Sequence, residues 1–172
     1  METEQMHKIR LVKQKLNFSA AHFITLGNEC EALHGHNYYT SVEMAGGPDD
    51  NFYLIDFGTL KRKMQALCDA LDHKVLMASE NPHLIMKVNG RQFDVAYRDK
   101  KYSFPAEDVV ALPIPNTTVE MLSQYLCLKL QELLAGKGYL DKIRYLEVGV
   151  EETTGQMATY RIDITSPSSQ QK

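Results

Sequence analysis

The segment Cys30-Glu31-Ala32-Leu33-His34-Gly35-His36-Asn37-Tyr38 constrains this chain more than any other. A β-strand repeats every two residues, so the imidazoles of His34 and His36 project from one face. Gly35 adds no side chain on the opposite face and lets another group come close. A further histidine, His22, stands twelve positions before His34. Three neutral imidazoles are a common catalytic zinc shell, with the fourth position open to water or substrate. A thiol, Cys30, and a carboxylate, Glu31, sit a few residues away. That combination points to metal-assisted acid–base chemistry rather than a structural zinc knot. Each histidine alone reads more readily as an ordinary strand residue; the inference rests on their joint occurrence with an acid and a base elsewhere.

Composition removes several alternatives. A length of 172 residues suits one domain, 1–172, with room for a core. A formal charge of -3, with no Lys/Arg cluster, gives no field for nucleic acid. No apolar run reaches membrane-spanning length, and the polar, acidic start Met1–Gln5 is unlike a secretory signal. Three cysteines without framework spacing predict free thiols in a reducing compartment, with the cytoplasm as default.

Taken in order, Arg10 to Phe18 alternates, with Val12, Leu16 and Phe18 on the apolar face and Lys13 and Lys15 opposite. This strand delivers His22 at its end. Residues 23–33 read as a loop, and His36–Ala45 as a second strand. A turn at 46–51 leads to a short third strand, Phe52–Phe57. Asp56 caps an amphipathic helix over 58–71, built on Leu60, Met64, Leu67 and Leu71, with Cys68 beside that stripe as core. Asn89-Gly90 predicts an accessory hairpin over 84–104. Thr117 and Glu120 fit a capping box for a second helix that buries Leu122, Tyr125, Leu126, Leu130 and Leu133 and ends at Gly136. Cys127 packs within it. Strands over 143–151 and 157–164 follow, and a polar tail, 166–172, is expected to be disordered. The fold class is α+β: an antiparallel sheet backed by two helices.

These motifs, in this order, resemble the 6-pyruvoyl-tetrahydropterin synthase and 6-carboxy-tetrahydropterin synthase family. The matching stretches are Phe-Ser-Ala-Ala-His at 18–22, Cys-x-x-x-His-Gly-His-Asn at 30–37, Ile-Asp-Phe at 55–57 and Leu-Asp-His at 71–73. Asn-x-Thr-x-Glu at 116–120 and Val-x-Val-x-Glu-Thr at 148–153 complete the set. The resemblance spans about residues 10–164, with 84–104 as extra material. It implies a T-fold, a four-stranded antiparallel sheet on two antiparallel helices. It also implies a homohexamer, two stacked trimers whose sheets close barrels, with active sites shared between subunits. Closure would remove exposed sheet edges.

The same resemblance implies Zn2+ on His22, His34 and His36, and 7,8-dihydroneopterin triphosphate as substrate. Zinc would bind the side-chain hydroxyls and lower their pKa. Cys30 matches the general base, and Asp72 and His73 match the pair that activates it. As residues alone, Asp72-His73 also reads as a helix C-terminus where histidine meets the dipole. Glu152, rather than Glu151, matches the pterin anchor, a carboxylate accepting two hydrogen bonds from the ring. Glu120 and Thr118 match positions near the pocket, although capping explains Glu120 equally well.

Spacing before His34 separates the subgroups. Cys30 lies four residues upstream, as in bacterial 6-carboxy-tetrahydropterin synthases of queuosine biosynthesis; animal pyruvoyl enzymes place it two residues earlier still. The implied reaction releases triphosphate and a two-carbon aldehyde and leaves 6-carboxy-tetrahydropterin. Glu31, three residues before His34, matches a third subgroup that uses glutamate and makes 6-hydroxymethyl-dihydropterin. A surface glutamate is the plain alternative, and a non-catalytic zinc- or pterin-binding module is the reading from another class.

Overall fold

The structure, a computed structural model, describes residues 6–136 and 138–164. Met1–Gln5 and the tail 166–172 lie outside the described residues. The elements are β1 (His7–His22), β2 (Thr25–Leu26), β3 (Glu29–Cys30), β4 (His34–Gly46), α1 (Phe57–Asp69), β5 (Lys74–Ala78), β6 (Ile85–Asn89), β7 (Gln92–Tyr97), β8 (Lys100–Pro105), β9 (Val109–Leu112), α2 (Val119–Ala135), β10 (Ile143–Thr153) and β11 (Gln156–Asp163).

Four of these strands form the expected antiparallel unit, in the order β11-β10-β4-β1. Two more, β5 and β9, extend it in parallel beyond β1, so the sheet is mixed and six-stranded. Neither is expected from sequence, because their short apolar runs, Lys74–Ala78 and Val109–Leu112, show no alternation. The 23–33 segment likewise contains a two-strand ladder, β2 with β3, rather than loop alone.

The long β1 strand carries an irregularity that corrects its predicted faces. Val12 pairs with Ser41 and Asn17 with Tyr39, so β1 spends more residues than β4 across the gap. The odd excess flips the alternation. Leu11 and Leu16 both turn inward, at 6% and 0% exposure, while Val12 is 61% exposed. On β4 the alternation holds, burying Tyr38, Thr40, Val42 and Met44. Gly35 does what its spacing suggested: a Cβ there would lie 3.1 Å from the Ala20 carbonyl oxygen.

Asp56 caps α1, accepting from the Thr59 amide at 2.7 Å. The helix buries Leu60, Met64 and Cys68 at four-residue spacing. Residues 52–56 are not a strand: Phe52 has φ 65° and is exposed, in a turn organised by Asp49, which accepts from the Asn51 amide at 2.8 Å. Helix α2 buries Leu122, Leu126, Cys127, Leu130 and Leu134; Leu133, expected inside, is 41% exposed. The N-cap of α2 is Thr118, accepting from the Met121 amide at 3.4 Å, one residue later than predicted. Glu120 is exposed and closes no capping box.

Helix α1 packs on β1, α2 on β10 and β11, and the two helices touch. Between them and the sheet lies a core that includes Leu16, Phe18, Tyr38, Leu60, Leu122 and Leu146. Each such fully buried side chain is worth about 1.5–3 kcal/mol. The predicted hairpin at 84–104 is a three-stranded meander, β6-β7-β8, with its own sheet. A second apolar cluster lies beneath it, joining Phe93, Val95 and Tyr97 to Phe23, Cys30 and Met77. No helix among the described residues is long and apolar enough to cross a membrane.

Candidate metal centre and active site

His22 and His34 face each other across the β1–β4 ladder, and Ala20 faces His36. The two-residue strand repeat therefore puts all three imidazoles on one side. Their ring centroids are 4.6 Å (22–34), 5.3 Å (22–36) and 5.0 Å (34–36) apart. One ring nitrogen from each falls within 4.8 Å of the others.

Hydrogen bonds fix two of the tautomers. A carbonyl can only accept, so His22 Nδ1–H donates to the Thr117 oxygen at 3.0 Å, and His34 Nδ1–H donates to the Ala32 oxygen at 2.8 Å. That leaves Nε2 of each ring, rather than Nδ1, as the nitrogen available to a metal. His22 Nε2 is buried and has no protein partner among the described residues. Burial lowers the His22 pKa to about 4, with lesser downward pushes from His34 and His36. A neutral imidazole with a buried, unspent lone pair fits a divalent metal ligand.

Burial of neutral His22 ties stability to pH in the metal-free protein. Its folded value lies below the ordinary 6.5, so protons bind the unfolded chain more tightly. The stabilisation is complete above about pH 6.5 and is lost as pH falls toward 4. At about 1.4 kcal/mol per pKa unit, the loss is on the order of 3 kcal/mol. Denaturant unfolding of the metal-free protein across this range is expected to show that decline, and a His22→Gln variant should lack it.

Sequence reasoning missed what holds His22. Thr117 is buried, its hydroxyl donates to the Phe23 carbonyl at 3.0 Å, and its own carbonyl receives the His22 ring. Asn116 clamps this loop: Nδ2 donates to the Thr25 carbonyl at 2.9 Å, and Oδ1 accepts from the amides of Thr25 at 3.3 Å and Thr117 at 3.1 Å. The 116–120 motif carries the signal, but a capping box concerns the Thr117 side chain, whereas the contact to His22 runs through its backbone carbonyl. Partners that orient a ligand this way are typically worth about 10–100-fold in metal affinity. Asn116→Ala is expected to weaken metal binding by that amount in a chelator-competition titration.

The acid–base residues are placed in two groups. Asp72 accepts from the Ser19 amide at 2.8 Å through Oδ1 and meets His73 Nδ1 at 2.8 Å through Oδ2. The Ser19 amide is the main cause holding the Asp72 carboxyl below its usual range. His73 adopts φ 57°, and its side chain is 82% exposed. It lines an open depression of about 360 Å³ together with His36, Asn37 and Lys74. Cys30 lies elsewhere, at 9% exposure within the cluster beneath the meander. Burial pushes the Cys30 thiol up; Lys100 pulls it down, and Glu31 pushes it up further. His73 is not among the charges acting on that sulfur. Within one described chain the structure thus unites the three histidines, and separately Asp72 with His73, but does not join His73 to Cys30. Glu31 is half-buried beside Cys30.

Glu152 is half-buried at the end of β10, and its charge acts on the buried Tyr38 hydroxyl, which burial already pushes up. The Tyr38 ring lies 5.6 Å from His36 and 5.8 Å from His22, which places Glu152 on the histidine side. Glu151 plays a structural part, since its Oε1 accepts from the Gly155 amide at 2.6 Å and closes the β10–β11 turn. Thr118 spends its hydroxyl on the α2 cap.

Fold and site together define a T-fold enzyme with a three-histidine centre. The profile of the 6-pyruvoyl tetrahydropterin synthase family matches residues 11–163. A Methanocaldococcus jannaschii protein, provisionally named 6-carboxy-5,6,7,8-tetrahydropterin synthase, is 35% identical over 85% of this chain and 90% of its own. The Bacillus subtilis 6-carboxy-5,6,7,8-tetrahydropterin synthase is 31% identical over 60% of this chain and 61% of its own. A Plasmodium vivax 6-pyruvoyltetrahydropterin synthase, solved with a catalytic glutamate replaced by alanine, superposes with a TM-score of 0.87 at 31% identity, covering 94% of this chain and all of that one. The chain belongs to the 6-pyruvoyl tetrahydropterin synthase family, and it is a lyase of that family.

Proposed function

We propose that the protein is a zinc-dependent lyase converting 7,8-dihydroneopterin triphosphate to 6-carboxy-5,6,7,8-tetrahydropterin, a step toward 7-deazaguanine compounds. The observation that carries this reading is the buried, unpartnered Nε2 of His22 facing two further imidazoles. The names of the Methanocaldococcus and Bacillus relatives support the product. When held by His22, His34 and His36, zinc supplies Lewis-acid polarisation of the substrate's side-chain hydroxyls.

The chain's own residues do the rest. Glu152 accepts hydrogen bonds from the pterin ring and fixes its orientation. Cys30 Sγ takes a proton from a side-chain carbon, and Asp72 holds His73 so that its free nitrogen relays that proton. Because His73 points to solvent in one chain, its partner sulfur belongs to a neighbouring subunit, in a hexamer that closes the β9 and β11 edges. Free thiols at Cys30, Cys68 and Cys127 suit the reducing cytoplasm.

One observation favours a second product. The Cys30 thiol is packed among apolar side chains, whereas Glu31 is half-buried and already next to it. A glutamate is catalytic in the Plasmodium relative. Proton abstraction by Glu31 would give 6-hydroxymethyl-dihydropterin. Incubating zinc-loaded protein with the substrate and identifying pterins by chromatography and mass tests both readings. The 6-carboxy product is expected. Zinc and pterin binding without any turnover would refute the enzymatic assignment, and 6-pyruvoyl-tetrahydropterin alone would refute the product.

A further inference from the structure

The meander reaches over the segment that precedes His34 and grips it by two cationic side chains. Arg98, at φ 51° in the β7–β8 turn, donates from Nη2 to the Asn28 side-chain oxygen at 3.0 Å. Lys100 Nζ donates to the carbonyl of Cys30 and, at 3.3 Å, to that of Glu31. One ammonium therefore holds the peptide unit that joins the two candidate bases. The apolar side chains around the thiol, Phe23, Met77, Phe93 and Val95, bring no charge, and Tyr97 completes the cluster. The charges that act on the sulfur are Lys100 and Glu31, with opposite effects.

Such an arrangement has a chemical consequence. A thiol must lose its proton to act as a base, and a nearby ammonium favours the thiolate. A carboxylate needs no such help at neutral pH. An ammonium is also a compact, strongly hydrated charge, so two carbonyls replacing its water define a fixed seat. Removing it should release the Cys30–Glu31 peptide and withdraw the cation that opposes burial and Glu31.

We propose that Lys100 is a positioning residue that selects the base: seated on the carbonyls of Cys30 and Glu31, it fixes the peptide between them and keeps a positive charge beside the sulfur, so that Cys30 rather than Glu31 takes the substrate proton. This rests on the reaction assigned above for its substrate. It gives the meander a role in product choice, through a contact made more than sixty residues away along the chain.

The test uses zinc-loaded protein carrying Lys100→Met or Lys100→Arg. Thiolate ultraviolet absorbance, taken as the difference from a Cys30→Ser version of each protein, follows the thiol. Lys100→Met is expected to raise the titration midpoint by about one pH unit or more. It should also lower the ratio of 6-carboxy to 6-hydroxymethyl product by about tenfold or more, with zinc content unchanged. Lys100→Arg should restore much of both. An unchanged midpoint, an unchanged product ratio, or parallel loss of both products together with zinc would overturn the proposal. If unmodified protein forms neither pterin, the assigned reaction fails by itself, and the thiol titration still decides whether Lys100 acts on Cys30.

Discussion

Replacing His36 with alanine is expected to strip the metal and abolish turnover while leaving the fold standing. Its ring makes edge contacts to His22, His34 and Tyr38, and it is half-buried. Those contacts are weak beside a buried hydrogen bond, so stability should change by less than about 1 kcal/mol. Metal affinity should fall by far more than the roughly 100-fold that loss of an outer partner costs, because a ligand itself is gone. His22→Ala makes the contrast. It should empty the site equally, yet it also leaves a buried void and strands the Thr117 carbonyl that accepts from Nδ1. An unmet buried acceptor adds about 1–3 kcal/mol of destabilisation. Metal analysis beside denaturant unfolding separates the two effects. Full zinc content in His36→Ala would mean that the three rings do not share an ion.

What could be read from the sequence followed from how local its causes are. His34 and His36 share a face through strand alternation alone, and Asp56 caps its own helix three residues on, so short spacing sufficed for both. Pairing His22 with His34 needed only the antiparallel return of β4 along β1. Failures came where distant segments decide. Val12 points outward because of a register shift that no pattern within Arg10–Phe18 announces. The Lys74–Ala78 and Val109–Leu112 runs become strands by pairing with each other and with β1, which gives them burial without alternation. Thr117 serves His22 across more than ninety residues through a backbone carbonyl common to every residue type, and Asn116 pins that loop to Thr25 with its side-chain amide. Lys100 was one of many scattered lysines until the meander set it on Cys30 and Glu31. The pairing of Asp72 with His73 was legible from adjacency, but the exposed direction of His73 depends on a left-handed backbone at the start of β5.

Exchanging the two candidate bases is expected to split the products cleanly. Cys30→Ala should cut formation of 6-carboxy-tetrahydropterin by about 10²–10⁴-fold, the usual contribution of a positioned general base. Its effect on 6-hydroxymethyl-dihydropterin should be small, because Glu31 does not use the sulfur. The residue is buried in an apolar cluster, so losing the thiol also trims packing beneath the meander. Cys30→Ser, which keeps the volume, separates that loss from the chemistry and should be as inactive in the 6-carboxy direction. Glu31→Gln should do the reverse: the 6-hydroxymethyl product disappears, and the 6-carboxy rate holds or rises. The rise follows from electrostatics, since the Glu31 charge pushes the Cys30 thiol up and an amide does not. A carboxylate beside a thiol base is thus a competitor in two senses, as an alternative acceptor and as a charge that keeps the sulfur protonated. Product formation measured across pH gives a further check. In the unmodified protein the 6-carboxy share should grow as pH rises through the thiol's range, and in Glu31→Gln the rise of the 6-carboxy rate should move to lower pH. Equal loss of both products in either variant would mean that one residue serves both outcomes.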